Sequence, residues 1–291
     1  MTMQGDVVVV TGGTSGIGQV AAETLANRGA RIVLIAREPQ RAAGTLAKLK
    51  VAGPDAQHSV HLADLSSIEA TRRVGAAIAA SESRIDVLIN NAGAVFGRRE
   101  VSVDGLEMTF AVNHMAYFVL TQALRDRLVA TPGARVVSTA SAAHTSGKLD
   151  FNDLQSTTSY SSIRAYGTSK LCNILFTREL ARRFMGTGVT ANCLHPGFVA
   201  TRFASQSGGL IQALAPLAKL FAVTPQQGAD TIIYLTASPD VADKTGLYFY
   251  KRKPISPSPT AQDNAAASVL WATSEAIAGG VKLGFGVDPG G

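Results

Sequence analysis

Short apolar, β-branched runs alternate with longer stretches of helical periodicity almost to the end of this chain. The runs near residues 6–11, 31–36, 57–62, 86–90, 134–139, 189–194 and 246–250 have the length and residue types of strands. Val7 to Val10 are valine without interruption, as expected of a strand buried on both faces. An alanine-rich helix is predicted from near Gln19. Ser66-Ser67-Ile68-Glu69 reads as a capping box, with Ile68, Val74 and Ile78 at helical spacing behind it. Longer helices are expected over about 106–130 and 162–184, the second with Leu171, Ile174, Leu175 and Ala181 on one side. Gly29, Gly133 and Gly188 stand between helices and strands, where helix-ending glycines belong. Such alternation predicts a single α/β domain over 1–291. Its core would be a doubly wound parallel sheet of about seven strands with helices on both faces, binding ligands beyond the strands' C-terminal ends.

The first strand runs into Thr11-Gly12-Gly13-Thr14-Ser15-Gly16-Ile17-Gly18 and then into a helix. A helix N-terminus offers unpaired backbone N–H groups and a positive dipole end, so it can hold a phosphate without a cationic side chain. Glycines at 12, 16 and 18 would permit the tight turn, close approach of a pyrophosphate and close packing of helix on strand. No lysine follows Gly18, which argues against a P-loop and triphosphate chemistry. The second strand ends at Ile35-Ala36-Arg37, where an NAD-binding turn would carry an acid for the ribose 2′-hydroxyl. Arg37 instead suits a 2′-phosphate, with Arg41 one helical turn further on, so NADP(H) is expected over NAD(H). Asp64-Leu65 follows the third strand, and Asp64 could accept from an adenine amino group. Asn90-Asn91-Ala92-Gly93 follows the fourth, and its small residues let backbone lie close to a ribose.

Tyr166 and Lys170 lie four apart on a predicted helix, so they share one face. An adjacent ammonium favours a phenolate, making Tyr166 a tunable acid or base. The preceding strand ends in Ser138-Thr139-Ala140-Ser141, and a serine there could polarise a carbonyl. Tyr160 and Arg164 share the spacing, but arginine cannot give up a proton. Ser138 is also a candidate serine, though it falls inside the strand pattern.

Together, Thr-Gly-x-x-x-Gly-Ile-Gly, Asp64, Asn-Asn-Ala-Gly and Tyr-x-x-x-Lys resemble the classical short-chain dehydrogenase/reductase family over about residues 5–280. The resemblance implies a Rossmann-type fold, an adenine contact at Asp64 and a tetrad of Asn113, Ser141, Tyr166 and Lys170, with Asn113 positioning a water beside the lysine. It further implies that Pro196 and Gly197 lie along the nicotinamide, with the Val199 backbone and the Thr201 hydroxyl contacting the cofactor. The long stretch His144–Ser162, containing Asp150-Phe151-Asn152-Asp153-Leu154, and Thr224-Pro225-Gln226-Gln227-Gly228 are similar to the retinol dehydrogenase and protochlorophyllide reductase-like branch. The implied activity is reversible hydride transfer between NADP(H) and an alcohol, aldehyde or ketone, with a lipophilic substrate favoured. Alternatives are a non-catalytic NADP-sensing regulator, which would have no chemical need for the serine, tyrosine and lysine, and an epimerase or dehydratase of the extended branch, which normally differs in glycine spacing.

Composition narrows the picture further. The 291 residues are 46% hydrophobic and 16% charged, enough to bury a large core. The formal charge of +6 is spread over scattered pairs such as Arg72-Arg73, Arg98-Arg99 and Arg182-Arg183, with Lys251-Arg252-Lys253 the one triplet. Solvated faces account for these, no nucleic-acid partner is expected, and the balance would help draw in an anionic cofactor. Cys172 and Cys193 read as buried thiols of a reducing compartment. His114, His144 and His195 form no recognisable metal motif. Met1–Asp6 is too short for a signal peptide and no apolar run approaches a membrane span, so a soluble cytoplasmic protein, compatible with a homo-oligomer, is expected. The apolar segment 198–224 reads as a substrate lid, a core helix or a weak membrane contact. A tail over about 251–291 would hold a rigid loop, Lys253–Pro259, and a last helix bearing Trp271.

Overall fold

The computed structural model describes residues 2–197 and 223–280. Eight strands form one sheet in the order β3-β2-β1-β4-β5-β6-β7-β8. They are β1 (Val7–Thr11), β2 (Arg31–Ala36), β3 (Ser59–Leu62), β4 (Val87–Asn90), β5 (Arg135–Thr139), β6 (Thr190–Leu194), β7 (Tyr248–Tyr250) and β8 (Lys253–Ile255). The first seven are parallel. Strand order reverses between β1 and β4, the switch point where a doubly wound sheet opens a crevice for ligands.

Period-two alternation divides β1 between two cores. Val7 and Val9 enter one core with residues of α3 (Ile68–Ser81), α5 (Ala116–Ala123), α7 (Ser162–Arg183) and α9 (Asn264–Ala278). Val8 and Val10 enter the other with α1 (Gly16–Asn27) and α8 (Pro225–Ala237). This is why Val7 to Val10 are valine without a break: neither face meets water. Full burial of each such side chain is worth about 1.5–3 kcal/mol. α2 (Pro39–Ala52) packs beside α1. Gly29, Gly133 and Gly188 all have positive φ in the links between helix and strand.

Four local expectations are corrected. The first helix begins at Gly16, three residues before Gln19, so Gly16 and Gly18 lie in its first turn. The N-cap of α3 is Ser67, whose side chain accepts from the Ala70 N–H (3.2 Å), while the Ser66 hydroxyl donates to Asp64 (2.8 Å). No reciprocal box forms there; the box belongs to α8, where Thr224 and Gln227 cap one another. The helix expected over 106–130 is instead α4 (Met108–Phe110), a π-turn at Ala111–Met115, α5, and α6 (Arg125–Ala130) after a break at Leu124. The wider π-turn contains Asn113, whose side chain bonds neighbouring backbone.

The fourth concerns the tail, where part of the expected loop forms a strand at the sheet's edge. Lys251 and Arg252 both take positive φ (48° and 63°), the conformation of a tight hairpin turn, and β8 returns antiparallel to β7. The Lys253–Pro259 stretch is therefore not all loop. Pro254 sits on the sheet's edge strand, where a missing N–H is tolerated. Arg252 is not simply solvated either, since its guanidinium pairs with Asp230 of α8.

Candidate active site

The register of the parallel strands brings the separate sequence motifs to one edge. Thr11 pairs with Ile35, Ala36 with Leu62, Val10 with Ile89, Asn90 with Ser138, and Thr139 with Leu194. The segments that leave these strands, at Gly12, Arg37, Asp64, Asn91, Ser141 and Pro196, consequently emerge side by side.

At the switch point the fit is one of backbone against backbone. Gly12 has φ +66°, and a Cβ there would lie 2.7 Å from the Ala92 Cα. A Cβ on Gly18 would lie 2.4 Å from both the Asn91 Nδ2 and the Gly12 carbonyl oxygen. These two glycines therefore let the loop after β4 interlock with the turn after β1. Thr11 Oγ1 donates to the Ile89 carbonyl (3.3 Å) and accepts from the N–H groups of Asn91 (2.9 Å) and Ala92 (3.0 Å). Asn91 Nδ2 donates to the carbonyls of Thr11 (3.3 Å) and Gly12 (3.2 Å). Gly16 opens α1 at φ +56°, Ser15 makes no side-chain cap, and no acid stands in the first turn. Thr14, Ile17 and Gly16 are partly exposed here, so the positive helix end is open to an anion.

Arg37 and Arg41 are exposed at the start of α2, with Arg37 Nε 3.3 Å from Glu38 Oε1. Asp64 Oδ1 accepts from both the N–H and the hydroxyl of Ser66 (3.0 and 2.8 Å). Leu65 packs against the core. Pro196 and Gly197 (φ +84°) leave β6 beside these loops. Val199, Thr201 and the rest of 198–222, most of the 198–224 segment read as a lid, a core helix or a weak membrane contact, lie outside the described residues.

On the other side of the crevice, Tyr166 and Lys170 project from α7. Lys170 is buried and donates from Nζ to the Thr139 carbonyl (2.9 Å). Its ammonium lies 5.7 Å from the ring centres of both Tyr166 and Tyr117. The Ser141 hydroxyl hydrogen-bonds the Tyr166 phenol and also accepts from the Ala143 N–H (3.1 Å). Burial pushes Tyr166 up to about 12, against the lowering effect of Ser141. Burial drives Lys170 down to about 7. Loss of hydration penalises both charged forms and leads in both cases, so the phenol lies above its ordinary value in this arrangement rather than below it. Ser138, the competing serine, is fully buried inside β5, and Tyr160 donates to the Phe96 carbonyl (2.8 Å).

Asn113 is buried and its side chain is fully engaged. Oδ1 accepts from Ala94 N–H (2.8 Å), while Nδ2 donates to the Ala94 carbonyl (2.9 Å) and Ser169 Oγ (3.0 Å). A Cβ on Gly93 would stand 3.3 Å from Asn113 Oδ1 and 3.4 Å from Lys170 Nζ, so the small residue lets all three meet.

Two sets of residues not foreseen from the sequence hold this geometry. Thr139 Oγ1 donates to Asn91 Oδ1 (3.1 Å) while its carbonyl accepts from Lys170, tying the glycine turn to the lysine. Gly147 and Gly167 face each other: a Cβ on Gly147 would lie 2.6 Å from the Gly167 carbonyl oxygen, and one on Gly167 2.7 Å from the Ala143 carbonyl oxygen. The 3₁₀ turn after Ser141 (Ala142–Ser146) can thereby rest directly on the backbone next to Tyr166. Only the presence of Gly167 inside Tyr166-x-x-x-Lys170 hinted at this.

Among the described residues, no group of three or more His, Cys, Asp or Glu side chains could hold a metal ion. Cys172 and Cys193 are buried and unbridged. No described helix is long and apolar enough to cross a membrane.

A family model for the short chain dehydrogenase matches residues 6–208. The chain belongs to that family. Retinol dehydrogenase 14 of Mus musculus is 40% identical over 295 residues, covering 96% of this chain and 88% of the relative, which supports membership of the retinol dehydrogenase-like branch. A solved structure of an uncharacterized protein from Mycobacterium Paratuberculosis superposes with a TM-score of 0.77 at 30% identity, covering 96% of this chain and 95% of that one. A second, the RhlG/NADP active-site complex of Pseudomonas aeruginosa, gives 0.67 at 28% identity over 85% of this chain and 94% of that one. This short-chain dehydrogenase is accordingly an oxidoreductase of alcohol and carbonyl groups that uses a nicotinamide cofactor. The open α1 end and glycine interlock fit a dinucleotide pyrophosphate.

Proposed function

We propose that this short-chain dehydrogenase is an NADP(H)-dependent enzyme of lipophilic alcohols, aldehydes or ketones, with Asn113, Ser141, Tyr166 and Lys170 as its working residues. The observation that carries this reading is the hydrogen bond between Ser141 and Tyr166 beside buried Lys170, on the same sheet edge as the open α1 terminus. Gly12, Thr14, Ser15, Gly16, Ile17 and Gly18 would hold the pyrophosphate, with Asp64 and Leu65 toward adenine and Asn91, Ala92, Gly93, Pro196 and Gly197 along the ribose and nicotinamide. Val199 and Thr201 would complete the nicotinamide side, and 198–224 would cover the substrate. Arg37 and Arg41, exposed where an acid would select NAD, support a 2′-phosphate. The related RhlG structure is an NADP complex, and the related retinol dehydrogenase is named for retinol, a lipophilic alcohol.

When bound, a nicotinamide would supply or accept the hydride. Tyr166, held protonated at neutral pH, gives its proton to the carbonyl oxygen while Ser141 orients that oxygen from the other side. Lys170 stabilises the phenolate that results, and Thr139 keeps the lysine aimed at it. Asn113 braces the backbone at Ala94 and the start of the Tyr-Lys helix through Ser169, which itself donates to the Tyr166 carbonyl (2.8 Å). An assay of decanal and all-trans-retinal with NADPH and NADH, alongside Tyr166→Phe, tests the reading. Carbonyl-dependent oxidation of NADPH that vanishes in the variant is expected; equal use of both cofactors or an unaffected variant would overturn the corresponding half.

A further inference from the structure

His144 follows Ser141 by three residues and has no role in the chemistry above, yet it is buried (4% exposed) and bonded on both ring nitrogens. Nδ1 stands 2.8 Å from the Ser141 carbonyl oxygen, which also accepts the His144 backbone N–H (3.1 Å). Nε2 stands 3.1 Å from the backbone nitrogen of Ser258, 114 residues away in the turn after β8. A backbone N–H can only donate and a carbonyl can only accept. The two partners therefore select one tautomer: Nε2 bare, Nδ1 carrying the proton. Burial pushes the ring's pKa down, which keeps it in that neutral form. The ring edge packs on Tyr248 of β7 (5.3 Å, 76°), fixing its plane.

This arrangement holds Ser141 from behind. The serine's hydroxyl faces Tyr166 and the Ala143 N–H, while its carbonyl takes two donors from His144, so neither end of the residue can turn independently. We propose that His144 is a positioning residue, which sets the Ser141 hydroxyl through the Ser141 carbonyl and uses the C-terminal turn at Ser258 as its backstop. The turn at 256–259, distant in sequence, thereby becomes part of the machinery that aims the carbonyl-orienting group. The inference rests on the assignment of Ser141 and Tyr166 made above.

The test combines a ring-state measurement with kinetics. In ¹⁵N-histidine NMR, with the signal assigned by its loss in His144→Phe, His144 should show a protonated Nδ1 and bare Nε2; the opposite tautomer overturns the proposal without any substrate. In decanal reduction, His144→Phe, which keeps a ring but neither bond, should lower kcat by roughly 10–100-fold, because a small misplacement of a catalytic group costs that order. NADPH affinity should stay within about twofold, since both hydrogen bonds of the ring go to residues outside the cofactor set, Ser141 and Ser258. His144→Asn places an amide N–H near the Nδ1 position and should recover most of kcat. Ser258→Pro removes the backbone donor without touching the ring, and Ser258 already has φ −57°, which proline accepts. Its kcat should fall by a smaller factor, about 3–10-fold, if the backstop matters. Full activity in His144→Phe, or equal losses in His144→Phe and His144→Asn with native folding, overturns the positioning role, and an unchanged Ser258→Pro overturns the backstop. Ser141→Ala and Tyr166→Phe run in parallel separate the two levels: if these retain turnover, the site assignment itself has failed, whatever His144 does.

Discussion

At the β1 and β4 end of the sheet edge the protein makes room by leaving side chains out, whereas at the β5 to β7 end it holds side chains in place with hydrogen bonds to backbone. Gly12 and Gly18 work because a Cβ on either would strike Asn91, Ala92 or a carbonyl oxygen at 2.4–2.8 Å. Lys170 and Ser141 work because Thr139 and Ala143 backbone groups accept from or donate to them. The first region offers an anion only helix dipole and backbone N–H groups, so its fitness depends on shape. The second presents ionisable groups out of water, so its fitness depends on hydration and hydrogen bonding. Binding a constant ligand suits the first design, and tuning protons suits the second.

That contrast can be broken most severely at Tyr166. Tyr166→Phe should reduce kcat by roughly 10²–10⁴-fold, the range for losing a general acid, while NADPH titration gives an unchanged Kd. A parallel loss of binding would show that the two regions are not separable. Next comes Gly18→Ala, where the added methyl must displace Asn91 or the Gly12 carbonyl. Overpacking of this kind costs about 1–3 kcal/mol, and the loss should appear in NADPH affinity and thermal stability together. A variant with unaltered cofactor binding would mean that the interlock yields easily.

Arg37→Asp sharpens the comparison from the cofactor side. It should weaken NADPH by at least about tenfold, given that charge-assisted hydrogen bonds are worth about 1.5–3 kcal/mol, and leave NADH nearly unchanged. Equal losses in the two titrations would remove the 2′-phosphate assignment. The smallest effect concerns stability at Lys170, whose pKa burial lowers from its ordinary 10.5 to about 7. Between those values the unfolded chain holds a proton that the folded protein has lost, so native stability rises with pH across that window. Lys170→Met should therefore melt about 2–4 °C above the parent at pH 6 despite losing turnover, with the advantage gone by about pH 10.5. A pH-independent difference in melting temperature would show that the lysine's charge carries no folding cost.

Much of this was legible from the sequence. The valine run of β1, the seven parallel strands and the helix-ending glycines follow from periodicity and backbone freedom, which act over a few residues. Arg37, Ser141, Tyr166 and Lys170 could be selected because their chemistry is tied to strand ends or to a spacing of four. Less legible were features set by partners far along the chain. The π-turn at Asn113 depends on Ala94 and Ser169, and β8 depends on a two-residue turn of Lys251 and Arg252 that carries no glycine. Trp271 stands in a tail by its place in the sequence, yet it stacks on Phe176 of α7 (5.8 Å, 10°) and belongs to the core. The turn preceding its helix reaches His144 instead.

By itself, the sequence determined a doubly wound sheet with a glycine turn at its switch point and the groups able to exchange a proton, because local periodicity and side-chain chemistry suffice for both. Only the tertiary structure decided that Gly147 meets Gly167, that Thr139 joins Asn91 to Lys170, and that Tyr166 is driven up while Lys170 is driven down. Contact across sequence distance and removal from water exist only once the helices have closed over the sheet.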